Sequence, residues 1–179
     1  TPDSVLMFRY LFAIPILALM MKFTHVDFKI TFREIPPLAF MGIMFALCSL
    51  TLFQSYNYMD AGIASTILFL YPILVALIMT FIFKEKLSPV TIFCLLMATA
   101  GIGLLYKGED GATLSLVGTI LVIISALTYA IYIVGINRTR LKKMNTIKVT
   151  FYVLLFGWSL FAVRSMIDGG ILSPPADKW

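Results

Sequence analysis

The feature that most constrains this chain is a series of apolar runs, each about as long as a bilayer is thick, separated by short charged segments. A helix that crosses the hydrocarbon core needs roughly 20 mostly apolar residues. Six segments meet that requirement: residues 4–21, 37–56, 62–83, 89–106, 114–136 and 147–167. The first contains Arg9, and the sixth is bounded by Lys148 and Arg164, so both rest partly on long basic side chains reaching toward the interface. Composition agrees. The 179 residues are 60% hydrophobic and 13% charged, with a mean hydropathy of +0.97, whereas a soluble domain carries about a quarter charged residues. The expected fold is therefore all-α, a polytopic transmembrane helical bundle of about six helices.

The net charge of +5 and pI of 9.3 would suit nucleic acid only if the basic residues formed a patch. They fall instead in short clusters between apolar runs, and no aromatic-basic RNA-binding motif or basic helix is present, so no nucleic-acid partner is expected. Short connections make adjacent helices antiparallel, which permits an orientation test. One set of loops holds Lys22, Lys29, Arg33, Lys84, Lys86, Arg138, Arg140, Lys142, Lys143 and Lys148; the other holds Lys107 and Lys178 beside Asp60, Glu109 and Asp110. Ten basic residues against two place residues 22–36, 84–88 and 137–148 in the cytoplasm, and the first span runs outside to inside. Ser88-Pro89 and Pro36-Pro37 suit helix starts. Gly108, Gly111 and the acids between them make a polar outer turn, and Pro174-Pro175 marks a loop after the sixth span. The chain begins at Thr1 without a signal-peptide pattern and is expected to be truncated at its start.

Catalytic signatures are missing: there is no HExxH, GxSxG or P-loop motif. Cys48 and Cys94 sit in apolar runs as small core residues, without metal spacing. No metal or cofactor is expected, and the chain is not read as an enzyme. Gly101-Ile102-Gly103 lies inside an apolar helix, so close helix packing is its expected role, with Ala98, Thr99 and Ala100 extending the face. His25 reads as a solvated loop residue. Asn137-Arg138-Thr139 matches a glycosylation sequon, but the topology puts it in the cytoplasm, where it would not be modified.

Four features within the spans could carry function. Arg9 lies one to two turns inside the outer boundary; lining a cavity and reaching the headgroups are both open readings. Pro72, within Leu70-Tyr71-Pro72, deprives the Leu68 carbonyl of its amide partner and is expected to bend the third span, as Pro15 would the first. Gln54, Ser55, Tyr56, Asn57 and Tyr58 gather at the outer end of the second span, and Ser65, Thr66 and Tyr71 lie in the third. Ser125, Thr128, Tyr129 and Tyr132 are spaced i, i+3, i+4 and i+7, which sets all four on one helical face. That face suits either a substrate cavity or an inter-helix hydrogen-bonding seam. No carboxylate lies deep in a span, so no intramembrane proton relay is visible.

Residues 58–108 resemble the EamA domain of the drug/metabolite transporter superfamily. The resemblance is carried by Ala61-Gly62-Ile63-Ala64-Ser65, then Leu70-Tyr71-Pro72, then Glu85 and Leu87, then Gly101 and Gly103. Arg9 is similar to an arginine often found two helices before the proline-bearing one. Residues 118–132, followed by a basic loop, are similar to the opening helix of a second repeat, although Thr128-Tyr129-Ala130 stands where a tryptophan is common. The resemblance implies a ten-helix fold of two five-helix inverted repeats. Residues 1–108 would supply the last four helices of the first repeat, and 109–179 the first two of the second. It also implies a secondary transporter, or permease, moving small metabolites, amino acids or drugs across a bacterial cytoplasmic membrane, many such proteins acting in efflux. Pro72 would kink the gating helix and Glu85 would cap it, though Lys84 and Lys86 make an exposed charge cluster an equal reading of Glu85. The expected partners are a small-molecule substrate and the lipid bilayer, and a homodimer is compatible with this reading. The alternatives are a membrane-embedded lipid-handling protein or enzyme, and a membrane subunit without transport of its own.

Overall fold

The computed structural model describes residues 2–86, 88–106 and 115–167. These residues are α-helical with short connections, and no strand occurs among them. The helices are α1 (Pro2–Phe23), α2 (Ile35–Ser55), α3 (Ala61–Leu68), α4 (Tyr71–Phe81), α5 (Pro89–Tyr106), α6 (Leu116–Arg138) and α7 (Thr146–Ile167), with a 3-10 turn at Arg140–Lys143 before α7. Among the described residues five segments are long and apolar enough to cross a membrane, α3 and α4 together forming one of them. The expected fourth span, α5, is an 18-residue helix, apolar over Pro89–Gly101. Large apolar side chains stand exposed along it: Val90 at 70%, Phe93 at 63% and Met97 at 60%. On α1, Phe12, Ile16 and Leu19 do the same. Faces of this kind are stable against lipid and not against water. The protein is an integral, multi-pass membrane protein.

The chain forms two compact units, whose divisions fall within α2 and α6. The first comprises residues up to Leu50 and those from Gly135 onward; the second is Thr51–Val134. In the first unit α1 packs against α7. Tyr10 sits at its centre, 3% exposed, with its ring 5.5 Å from that of Phe161 and 6.1 Å from that of Phe45. Its hydroxyl is within 3.0 Å of Ser49 Oγ, which satisfies a polar group that hydrocarbon would not. Leu6, Leu38, Met41, Ala46, Cys48 and Val153 complete this core. A seam of small residues brings α2 onto α7: a Cβ on Gly42 would stand 2.7 Å from Phe156 Cβ and 2.9 Å from the Val153 carbonyl. One on Gly157 would stand 2.9 Å from Tyr10 Cε1. Neither position admits a side chain, and the backbones approach closely there.

The basic loops of this unit are ordered by the helix ends they join. α1 closes with His25 in the left-handed region (φ 52°), the Val26 amide donating to Met21 at 2.9 Å and the His25 amide to Lys22 at 3.3 Å. This is the two-bond Schellman closure, usually built on glycine. His25, read from the sequence as a solvated loop residue, is exposed and also ends a helix. Lys148 Nζ donates to the Lys29 carbonyl at 2.5 Å, and the Tyr152 hydroxyl to the Phe28 carbonyl at 2.5 Å. The α1–α2 loop and the start of α7, both assigned to the same membrane side by charge, therefore meet.

In the second unit the third span is interrupted rather than merely bent. α3 has only 8 residues. Its start is capped by Asp60, whose carboxylate accepts from the Gly62 amide at 2.7 Å. It ends in i→i−3 bonds, Phe69 to Thr66 at 3.1 Å and Leu70 to Ile67 at 3.0 Å. α4 then restarts with Pro72 at its second residue, where a missing amide does no harm. At the far end Lys84 adopts the left-handed region (φ 54°), and the Glu85 amide closes the helix end on the Met79 carbonyl at 3.2 Å.

Candidate functional site

The polar face of α6 and the break between α3 and α4 supply the candidate site, within the second unit. Ser125 is fully buried, and Thr128, Tyr129 and Tyr132 are half-buried along the same side of α6. Tyr71, the first residue of α4, meets Tyr129 edge to face, with centroids 4.8 Å apart and planes at 82°. Tyr129 stacks on Tyr132 at 5.8 Å and 19°. The break places Tyr71 where one short helix stops and another starts, so the ring cluster stands at the discontinuity of the span. Stacked and edge-on rings of this kind contribute about 0.5–1.5 kcal/mol per pair beyond the area they bury.

The hydroxyls nearby are bonded to their own helices. Ser65 Oγ donates to the Ala61 carbonyl at 2.7 Å and Thr66 Oγ1 to Gly62 at 2.9 Å. Thr128 Oγ1 donates to Ser125 and Ile124 carbonyls at 2.9 and 3.0 Å. Such bonds satisfy the donor inside an apolar environment while leaving the oxygen able to accept a further one. Gln54 is half-buried near the end of α2, and Tyr58 is 52% exposed in the following turn. The structure therefore gathers Tyr71, Tyr129 and Tyr132 into one contact cluster, with Ser125 and Thr128 on the same face of α6.

Other expected residues lie elsewhere. Arg9 is exposed on α1, in the first unit. Pro15 lies within α1, which is helical without interruption across it. Glu85 is exposed beyond α4, where its backbone closes the helix. A Cβ built on Gly101 meets no atom of the described residues within 4 Å. Gly103 lies in α5, but its surroundings fall outside the described residues, as do those of Cys94, Ala98 and Arg164. The outer turn with Lys107, Gly108, Glu109, Asp110 and Gly111, and Pro174-Pro175, also lie outside them.

Two features went unread in the sequence. Tyr10 organises the core of the first unit, and nothing in its neighbourhood of apolar residues marked it. A cavity of about 640 Å³ opens at the turn between α6 and α7, lined by Arg138, Arg140, Lys142, Lys143 and Glu34 among others. The density of basic residues over 137–148 is the signal for it in the sequence. Among the described residues no group of three His, Cys, Asp or Glu side chains could hold a metal ion.

The EamA-like transporter family matches residues 1–107, well over half of the chain. The chain belongs to the EamA-like transporter family. No curated protein and no solved structure gives a match. Family membership, and five segments among the described residues long and apolar enough to cross a membrane, make this an integral membrane protein of a transporter family, and members of that family are transporters rather than enzymes.

Proposed function

We propose that this EamA-like protein is a secondary transporter of small metabolites, amino acids or drugs, working by alternating access in a bacterial cytoplasmic membrane. The observation that carries the reading is the broken third span with the Tyr71, Tyr129 and Tyr132 cluster beside it. Discontinuous spanning helices with polar or aromatic groups at the break are where transporters bind substrate near the bilayer midplane. The residues at 69–70 act as the hinge, with Pro72 fixing the restart of α4. Rings whose faces can stack suit aromatic or other flat organic substrates, and the hydroxyl oxygens of Ser65 and Thr128 accept hydrogen bonds from them.

Packing between α1 and α7 supports a two-repeat arrangement. On the ten-helix mapping these are helices two and seven, the same position in each repeat. Equivalent elements touch each other when they flank a pseudo-two-fold axis, as identical patches do at an isologous interface. The decisive experiment is uptake and efflux of labelled amino acids and drugs in a deletion strain, with and without Tyr129→Ala. Flux dependent on the protein should appear for at least one compound. It should fall about tenfold in the variant if one ring contact of about 1.4 kcal/mol is lost. Flux that ignores the substitution removes the tyrosine cluster from the pathway, and the absence of any flux removes the transporter reading.

A further inference from the structure

The turn between α6 and α7 holds more order than a topological charge signal requires. Positive residues that orient a membrane protein need only lie on the inner side, in any conformation. Here Arg138, Arg140, Lys142 and Lys143 line a single cavity of about 640 Å³, with Glu34 from the α1–α2 loop as its acidic group. Four cations and one carboxylate leave the named side chains at 4 − 1 = +3.

The turn is pinned in place. Leu141 is 1% exposed and anchors it in the first unit. The Thr139 amide donates to Gly135 at 3.0 Å, Lys142 to Thr139 at 3.2 Å and Met144 to Leu141 at 3.0 Å, so the backbone is committed. In a 3-10 turn residues three apart eclipse, which sets Arg140 and Lys143 side by side. Glu34 is itself held, its Oε2 accepting from the Thr31 amide at 2.8 Å. Thr139 also lines the cavity, and its Oγ1 is shielded from solvent, with no hydrogen-bond partner among the described residues. Lys148, by contrast, is engaged with the Lys29 carbonyl and takes no part in the lining.

We propose that this cavity binds the phosphate of an anionic phospholipid headgroup. Its position points to the source: it lies between the end of α6 at Arg138 and the start of α7 at Thr146, the ends of two apolar segments long enough to cross a membrane. The planar guanidinium groups offer paired donors that match phosphate oxygens, and the lysines add point charge. Basic pockets between spanning helices on the cytoplasmic side bind such headgroups, each cation near the surface contributing about a fivefold gain.

The test uses the whole chain reconstituted in phosphatidylcholine vesicles, with spin-labelled phosphatidylglycerol or phosphatidylcholine as probe. Phosphatidylglycerol should be preferred about 25-fold or more, and Arg140→Gln with Lys143→Gln should reduce that preference about 25-fold, toward none. The single Lys143→Gln, expected to lose about fivefold, replaces the pair if the double variant does not reconstitute. Lys84→Gln with Lys86→Gln removes the same charge from another loop and should leave the preference within about twofold. No preference in the parent protein, or equal losses in both double variants, overturns the site. Displacement of the labelled lipid by inorganic phosphate, and not by chloride at matched ionic strength, overturns the lipid assignment in favour of a soluble phosphorylated ligand.

Discussion

Two spans of this protein carry an internal proline, and they answer it differently. α1 continues as a helix of 22 residues across Pro15. The third span stops at Leu68 and restarts at Tyr71, with Pro72 second in the new helix. Both prolines are exposed, so local burial does not separate them. What does is the support along the helix. α1 packs on α7 and carries Leu6, Tyr10 and Met21 into the core on both sides of the proline, so tertiary contact holds the helical path where one hydrogen bond is lost. α3 offers only Ala64 as a buried residue and α4 only Ala76. With so little packing to enforce continuity, the chain takes the local solution, a short turn followed by a helix start that proline suits. Proline proposes a break in both places, and packing decides which one occurs.

The largest expected effect concerns the packing itself. Gly157→Leu should destabilise the protein by about 3 kcal/mol or more in detergent thermal denaturation, because its Cβ would already press on Tyr10 and the α2 backbone. Gly101→Ala, where a Cβ meets no atom of the described residues, should be neutral or stabilising by up to about 1 kcal/mol. Equal losses at the two glycines would erase the distinction between the units.

Next come the prolines. Pro15→Ala returns an amide to the Leu11 carbonyl and should stabilise by up to about 3 kcal/mol. Pro72→Ala should change stability by less than about 1 kcal/mol, since its position needs no amide. Amide exchange at residues 69–74 should slow in that variant only if the break closes. A gain at Pro72 as large as that at Pro15 would show that the break is strained and held by other contacts.

Tyr71→Leu removes one edge-to-face ring contact and should lower stability by about 1 kcal/mol. A double-mutant cycle with Tyr129→Leu checks whether that loss is shared; additive losses would mean that the two rings do not interact. The smallest effect is local to α3: Asp60→Ala should lower stability by about 1 kcal/mol and Asp60→Asn by much less, because either side chain can cap the Gly62 amide.

The sequence by itself determined the solvent of this protein, its all-helical class and the boundaries of most spans. Apolar length is read one residue at a time, and transfer to lipid is nearly additive along the chain. Family membership was legible in the order of degenerate motifs from Ala61 to Gly103, and the polar face of α6 in its i, i+3, i+4, i+7 spacing. Only the tertiary structure decided that Gly42 and Gly157 form a seam of close approach. It also decided which proline interrupts its span, and that Tyr71 meets Tyr129. The reason is physical. A helix in lipid is apolar all round, so its periodicity does not mark the face that packs. Close approach in the membrane depends on shape and on the partner opposite, and neither is written in the helix's own sequence.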